Sequence, residues 1–147
     1  MNGKQRIVAA LNLQPVDRTP VWFMRQAGRH LPEYRKIAAE HNFWERCMDV
    51  DLCKTITLQP LERYQKIDAA IIFSDILTPL PSLGYDVEYG GGIRISDFNL
   101  DDVDDWINFS ARKHAPWAAD GLQAVGEEIG DTTARLGFVG SPWTICM

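Results

Sequence analysis

The sequence predicts an α/β fold with a parallel sheet, in the form of the first part of a (β/α)8 TIM barrel with about three βα units. Three observations predict it. Short continuous apolar runs recur at 21–24, 68–73 and 134–140, each of a length that suits a strand buried on both faces. Stretches of helical period separate them. The polar residues of chemical interest fall directly after the strands, at the end that carries the active face in such barrels. A whole barrel takes about 250 residues, so the 147 residues here are expected to form the N-terminal part of one domain that spans 1–147 and continues in a longer protein.

The elements follow in order. Asn2 caps a first helix from Gly3 to about Leu13, with Ile7, Ala10 and Leu11 on one face. Pro15, Asp17 and Pro20 stop it. "VWFM", 21 to 24, is the first strand, with Trp22 and Phe23 in the core. Pro32 opens the next helix, with Glu33 in its first turn. A further helix runs from about Asp49 to Tyr64, carrying Val50, Cys53, Ile56 and Leu61 at helical spacing, and Pro60 is expected to kink or break it. "DAAIIF", 68 to 73, is the second strand, with Ile71, Ile72 and Phe73 in the core and Asp75 just past its end. Around Val87 the chain predicts a short hairpin arm with Gly90, Gly91 and Gly92 at its tip. "LDDVDDW" starts a helical turn whose acidic residues face solvent. A helix from about Ala111 to Ile129 places Ala115, Ala118, Leu122, Val125 and Ile129 on one side. "ARLGFVG", 134 to 140, is the third strand, and "SPWTICM" follows, with Trp143 and Thr144 read as structural.

Composition narrows the function. The chain is 46% hydrophobic and 24% charged with a net charge of −5, so it lacks the basic footprint of a nucleic-acid binder. No apolar run approaches the roughly 20 residues of a membrane span, and the N-terminal apolar run is too short for a signal peptide. Cys47, Cys53 and Cys146 have no C-x-x-C spacing and read as reduced thiols of a cytoplasmic protein. His30, His41 and His114 lack metal-ligand spacing. Against this acidic background "WFMRQAGRHLPEYR" sets Arg25 and Arg29 around a Gln-Ala-Gly turn. A planar guanidinium matches both oxygens of a carboxylate or phosphate, so the loop reads as half of a clamp for a small anion.

At "PVWFMRQAGRHLPEYR" the sequence resembles the uroporphyrinogen decarboxylase family. "PVDRTPVW", "TLQPLERY…DAAIIFSDIL" and "LGFVGSPWTICM" extend the resemblance over essentially the whole chain. It implies a single-domain (β/α)8 barrel, a homodimer, and removal of the four acetate carboxyls of uroporphyrinogen III to give coproporphyrinogen III in the cytoplasm, without metal or organic cofactor. By the same resemblance Arg25 and Arg29 bind substrate carboxylates, and Gln26, Ala27 and Gly28 shape the loop between them. Asp75 matches the family's aspartate that accepts hydrogen bonds from the pyrrole N–H groups. Asp75 and Arg25 would carry catalysis. Protonating a pyrrole makes the ring a cationic electron sink, a nearby carboxylate stabilises that cation, and an arginine orients the departing carboxylate. Whether Arg25 is also the proton donor stays open, because guanidinium is a very weak acid.

The chain also departs from the family pattern. His30 stands where tyrosine is usual. "RKIAAE" lacks a further arginine, for which Arg35 or Lys36 could substitute. The substrate-contacting tyrosine would follow Met147. Two other readings stand beside the decarboxylase. One is a corrinoid-linked methyltransferase of the same superfamily, with zinc ligands in the later part of the chain. The other is a non-catalytic fragment that binds a barrel partner.

Overall fold

The structure is a computed structural model that describes residues 1–24, 30–97, 101 and 103–146. Helix α1 (Gly3–Leu11) opens with a capping box, in which Asn2 Oδ1 accepts from Gln5 N–H and the Gln5 side chain accepts from Asn2 N–H. It ends two residues before the expected Leu13. Its buried residues are Arg6 and Ala9, and Leu11 is 78% exposed, so the expected face of Ile7, Ala10 and Leu11 is rotated away from the core. The cause is Arg6, which two carboxylates draw inward.

Helix α2 (Pro32–Glu40) begins at Pro32 as expected. Helix α3 (Phe43–Met48) was not foreseen. Its start signal is another capping box, between Asn42 and Glu45. Helix α4 (Val50–Arg63) is capped by Asp49 and runs through Pro60, ending three residues later, so the proline does not break it. Its missing N–H removes one backbone bond, to the carbonyl four residues earlier, and the helix continues for three residues beyond it.

Strand β1 (Ala69–Ile71) and strand β4 (Ala134–Leu136) pair in parallel, with Ala69 opposite Ala134 and Ile71 opposite Leu136. Both are shorter than the predicted runs 68–73 and 134–140. Between them come α5 (Pro79–Ser82), the antiparallel hairpin β2 (Val87–Tyr89) and β3 (Ile93–Ile95) with its glycine tip, then α6 (Val103–Ile107), α7 (Ala111–His114) and α8 (Pro116–Ile129). The predicted helix 111–129 is therefore two helices. Pro116 cannot donate a backbone hydrogen bond and disfavours the α conformation at the residue before it, and Ala115 leaves that region at φ −136, ψ 53. Helix α9 (Pro142–Cys146) follows β4.

The expected first strand, 21–24, is not formed. Val21 alone reaches the sheet, with its carbonyl accepting from Asp68 N–H at 2.8 Å. Trp22 and Phe23 are 37% and 54% exposed and are not core residues, because no facing layer covers them among the described residues. The three expected βα units are thus represented by two paired strands and one extended segment.

Helix α4 packs along α8, with α4 against β1 and α8 against β4. Cys53, Ile72 and Val125 form the core between them, and Leu31, Tyr34 and Ile56 join α2 to α4, with Phe73 touching both groups. A third group, Leu77, Leu80, Tyr85 and Val87, lies under the hairpin. Helix α1 closes the start of the sheet. A Cβ on Gly3 would lie 2.6 Å from the Asp68 carbonyl oxygen, so only glycine permits that approach.

Candidate functional site

The end of β1 is built by α4. Phe73 N–H donates to Thr57 Oγ1 at 2.9 Å, Thr57 Oγ1 donates to the Cys53 carbonyl at 2.7 Å, and Cys53 Sγ donates to the Phe73 carbonyl at 3.2 Å. Helix side chains thus take both backbone groups of Phe73 out of the sheet ladder, and the chain turns at Ser74 and Asp75. Asp75 Oδ1 accepts from Leu77 N–H at 2.7 Å, and the Asp75 carbonyl accepts from Thr78 Oγ1 at 2.7 Å. Part of its carboxylate therefore closes the turn into α5, as a capping aspartate would.

The rest of its surroundings come from the hairpin and α3. Asp75 is half-buried and has no ion pair among the described residues. Tyr89 of the hairpin lies beside it, and partial burial, then the neighbouring Asp75 carboxylate, holds the Tyr89 phenol above its ordinary range. Burial, then the charge of Asp75, pushes the Cys47 thiol up as well. Tyr89 stacks edge-on to Phe43 at 4.8 Å between ring centroids, and Phe43 meets Phe73 at 5.8 Å. Trp44 Nε1 donates to the Val87 carbonyl at 2.8 Å and fixes the hairpin to α3. Tyr89 and α3 are the parts of this neighbourhood that sequence reasoning missed. The Asn42/Glu45 capping box could have revealed α3, but no local signal marks Tyr89 as a neighbour of Asp75.

The turn after β4 reaches the same place. A Cβ on Gly140 would stand 3.1 Å from the Ile76 carbonyl oxygen and 3.0 Å from Ile145, so the segments following two adjacent parallel strands touch there. Thr144 N–H donates to Ser141 Oγ at 3.2 Å, capping α9, while Trp143 is 75% exposed.

Arg25, Gln26, Ala27, Gly28 and Arg29 lie outside the described residues. Their flanks are described. Val21 N–H donates to Asp68 Oδ2 at 2.8 Å before the loop, and after it His30 Nε2 hydrogen-bonds to Tyr64 Oη at 3.0 Å. Tyr64 ends α4 just ahead of β1, so these flanks meet the fold near the start of β1 while Asp75 lies beyond its end. Arg35 and Lys36 are exposed, and Arg35 Nη2 donates to the His30 carbonyl at 3.3 Å.

The start of β1 holds a second charged cluster. Arg18 donates from both terminal nitrogens to the two Asp68 oxygens at 2.7 Å, and Arg6 donates to Asp68 and, through Nε and Nη2, to Asp17 at 2.6 and 2.8 Å. Burial pushes the Asp68 carboxyl up, but the hydrogen bonds from Arg18, Val21 N–H and Arg6 outweigh it and hold the group below the usual carboxylate range. The hydrogen bond from Arg6, opposed by desolvation and aided by the chain's amino terminus, holds Asp17 far below that range. The "VDR" of the quoted lead-in thus ties α1, the proline loop and β1 together. Among the described residues no group of three or more His, Cys, Asp or Glu stands close enough to hold a metal ion, and no helix is long and apolar enough to cross a membrane.

With this geometry in view, a family model described as uroporphyrinogen decarboxylase (URO-D) matches residues 2–147. The chain belongs to the uroporphyrinogen decarboxylase family. It is 42% identical over 145 residues to the protein named uroporphyrinogen decarboxylase from Pseudomonas paraeruginosa (strain DSM 24068 / PA7), covering 95% of this chain and 41% of that one. To the protein of the same name from Magnetococcus marinus it is 36% identical over 154 residues, covering 99% of this chain and 42% of the relative. The chain therefore spans about two fifths of the length of the curated relatives it matches. Uroporphyrinogen decarboxylase is a TIM-barrel family. The parallel β1–β4 pair with its covering helices is mixed α/β structure consistent with that class, and no closed barrel forms among the described residues.

Proposed function

We propose that the whole protein decarboxylates the four acetate side chains of uroporphyrinogen III to give coproporphyrinogen III in haem biosynthesis, and that this chain supplies the first βα units of its barrel. The observation that carries the reading is a half-buried carboxylate without a cationic partner among the described residues, just beyond the C-terminal end of a parallel strand, in a chain of this family. Loss of CO₂ from a pyrrole acetate leaves the bonding electron pair on the side-chain methylene carbon. Prior protonation of the ring gives those electrons a cationic sink, a proton then adds to that methylene carbon to make the methyl group, and the ring releases the proton it took up, so each acetate consumes one proton net. Asp75 accepts pyrrole N–H hydrogen bonds and stabilises the ring cation as it forms, an interaction stronger in the transition state than in the ground state. Arg25 and Arg29 hold the carboxylates, with Gln26, Ala27 and Gly28 shaping the loop, and the working enzyme is a cytoplasmic homodimer.

The test is incubation of the whole protein, of which this chain is the N-terminal part, with reduced uroporphyrinogen and a metal chelator. The four-carboxylate product should accumulate. Strict dependence on zinc or a corrinoid would overturn the proposal in favour of methyl transfer. The arginine loop has its own check. Arg25→Ala or Arg29→Ala removes a charge-assisted contact worth about 1.5–3 kcal/mol, so either variant should bind the substrate about ten- to a hundredfold more weakly, read as a rise in KM.

A further inference from the structure

Arg46 is buried, at 8% exposure, on the short helix α3. Its Nε donates to the Asn42 carbonyl at 3.0 Å and its Nη1 to Tyr34 Oη at 2.5 Å. The guanidinium carbon lies 5.2, 5.8 and 5.9 Å from the ring centroids of Tyr34, Phe43 and Phe73. Arg6 and Asp68, the other buried charged side chains among the described residues, are joined in an ion pair, whereas Arg46 has no carboxylate partner there. Its Nη2 makes no hydrogen bond among the described residues, which leaves one arm of a planar fork unused. Burying an unpaired charge is costly. Three aromatic faces and two hydrogen bonds offset part of that cost, but neither neutralises the cation.

The position of this charge gives it a use. Phe73 stands two residues before Asp75, and Phe43 touches both the Phe73 and the Tyr89 rings. Phe43, Phe73 and Tyr89 thus form an aromatic wall with Arg46 against one part and Asp75 at another. Cys47 senses both charges, since Asp75 raises its thiol pKa and Arg46 lowers it, each acting beneath the larger effect of burial. A macrocycle of four pyrroles with N–H groups turned to its centre and carboxylates on its rim fits such a surface. Its centre would meet Asp75, its faces the aromatic wall, and one rim carboxylate the open arm of Arg46.

We propose that Arg46 is a substrate-binding residue that receives one carboxylate of the tetrapyrrole through its free guanidinium arm. This rests on the proposed function, which supplies the polycarboxylate. The competing role is a staple between α2 and α3 through the Tyr34 hydroxyl.

The experiment is fluorescence titration of the whole protein with uroporphyrin, the oxidised eight-carboxylate porphyrin, in wild type, Arg46→Met, Arg46→Lys and Tyr34→Phe. Arg46→Met keeps the apolar stem and removes the charge, so affinity should fall about tenfold or more. Arg46→Lys, a point charge without the fork, should recover part of the loss. Tyr34→Phe cuts the staple and keeps the cation, so its affinity should stay within about twofold of wild type. A folded Arg46→Met with wild-type affinity overturns the assignment. If that variant does not fold, the Nε–Hε resonance of Arg46 in the wild-type whole protein decides, since a porphyrin-dependent shift supports the contact and an unmoved resonance excludes it. A wild-type protein that does not bind uroporphyrin overturns the decarboxylase reading itself, an outcome distinct from the loss of Arg46 alone.

Discussion

Asp68 and Asp75 stand seven positions apart, one at each end of β1, and they do opposite work. Asp68 is 1% exposed, and its two oxygens are taken by Arg6, Arg18 and the Val21 amide. Asp75 is half-buried, and its carboxylate meets one backbone amide and one phenol. A carboxylate already neutralised by two guanidinium groups has little field left for anything else. One held by neutral donors keeps its charge for a cation that arrives later. Neighbours, not residue type, separate the structural end of the strand from the end proposed to carry the chemistry.

Removing the charge at the structural end should have the largest effect. Asp68→Asn leaves buried Arg6 and the Val21 segment without their anion, and breaking one partner out of a buried pair costs about 3–5 kcal/mol. Chemical denaturation of the whole protein should show that loss, while turnover per folded molecule stays at the wild-type level. A stable variant with impaired turnover would mean that the two ends had been assigned the wrong way round.

Asp75→Asn should give the reverse pattern. Asparagine matches the size of aspartate but removes the charge and turns an amide donor toward a site that needs acceptors. Losing one preorganised electrostatic group costs on the order of 10²–10³ in rate, so kcat should fall by that much with a smaller change in KM. The melting temperature should move little, since the turn into α5 can still be closed by the remaining carbonyl oxygen. Near-wild-type kcat would reduce Asp75 to a cap.

Acid should also test the structural end. The Asp68 and Asp17 carboxyls are held below their usual range in the folded chain. Groups with depressed folded pKa values contribute stability above the unfolded carboxylate pKa, about 3.9, and lose it as pH falls through the folded values. Stability should therefore be flat above about pH 5 and decline below about pH 4. Asp68→Asn should flatten that decline. Denaturant midpoints measured between those limits decide.

The position of Asp75 just past a strand was legible because a continuous apolar run stops just before it, and the Asn2 cap of α1 and the hairpin tip were legible because their signals are local. The split at Ala115 was also encoded, in Pro116, but the helical spacing across it concealed the break. What could not be read depends on distant partners. No local signal marks Arg6 as buried, and only Asp17 and Asp68 turn it inward. "VWFM" has the composition of a buried strand, yet a strand needs a ladder, and among the described residues Val21 alone finds one. Arg46 carries no motif of the kind that singled out Arg25 and Arg29.

The smallest predicted effect sharpens the comparison at the Asp75 end. Tyr89 reaches Asp75 from the hairpin, and its raised phenol pKa keeps it a hydrogen donor at neutral pH. Tyr89→Phe removes that donor and keeps the ring, so the contacts with Phe43 at 4.8 Å and Trp44 at 6.0 Å persist. A hydrogen bond to a charged group is worth about 1.5–3 kcal/mol, but Tyr89 is 39% exposed and water can replace much of it. The remaining loss should be about 1 kcal/mol, read as a two- to tenfold fall in kcat with the melting temperature nearly unchanged. Added to Asp75→Asn, the same substitution should cost almost nothing more, because its partner charge is already gone. Additive losses in that double variant would show that Tyr89 acts on the substrate directly and not through Asp75.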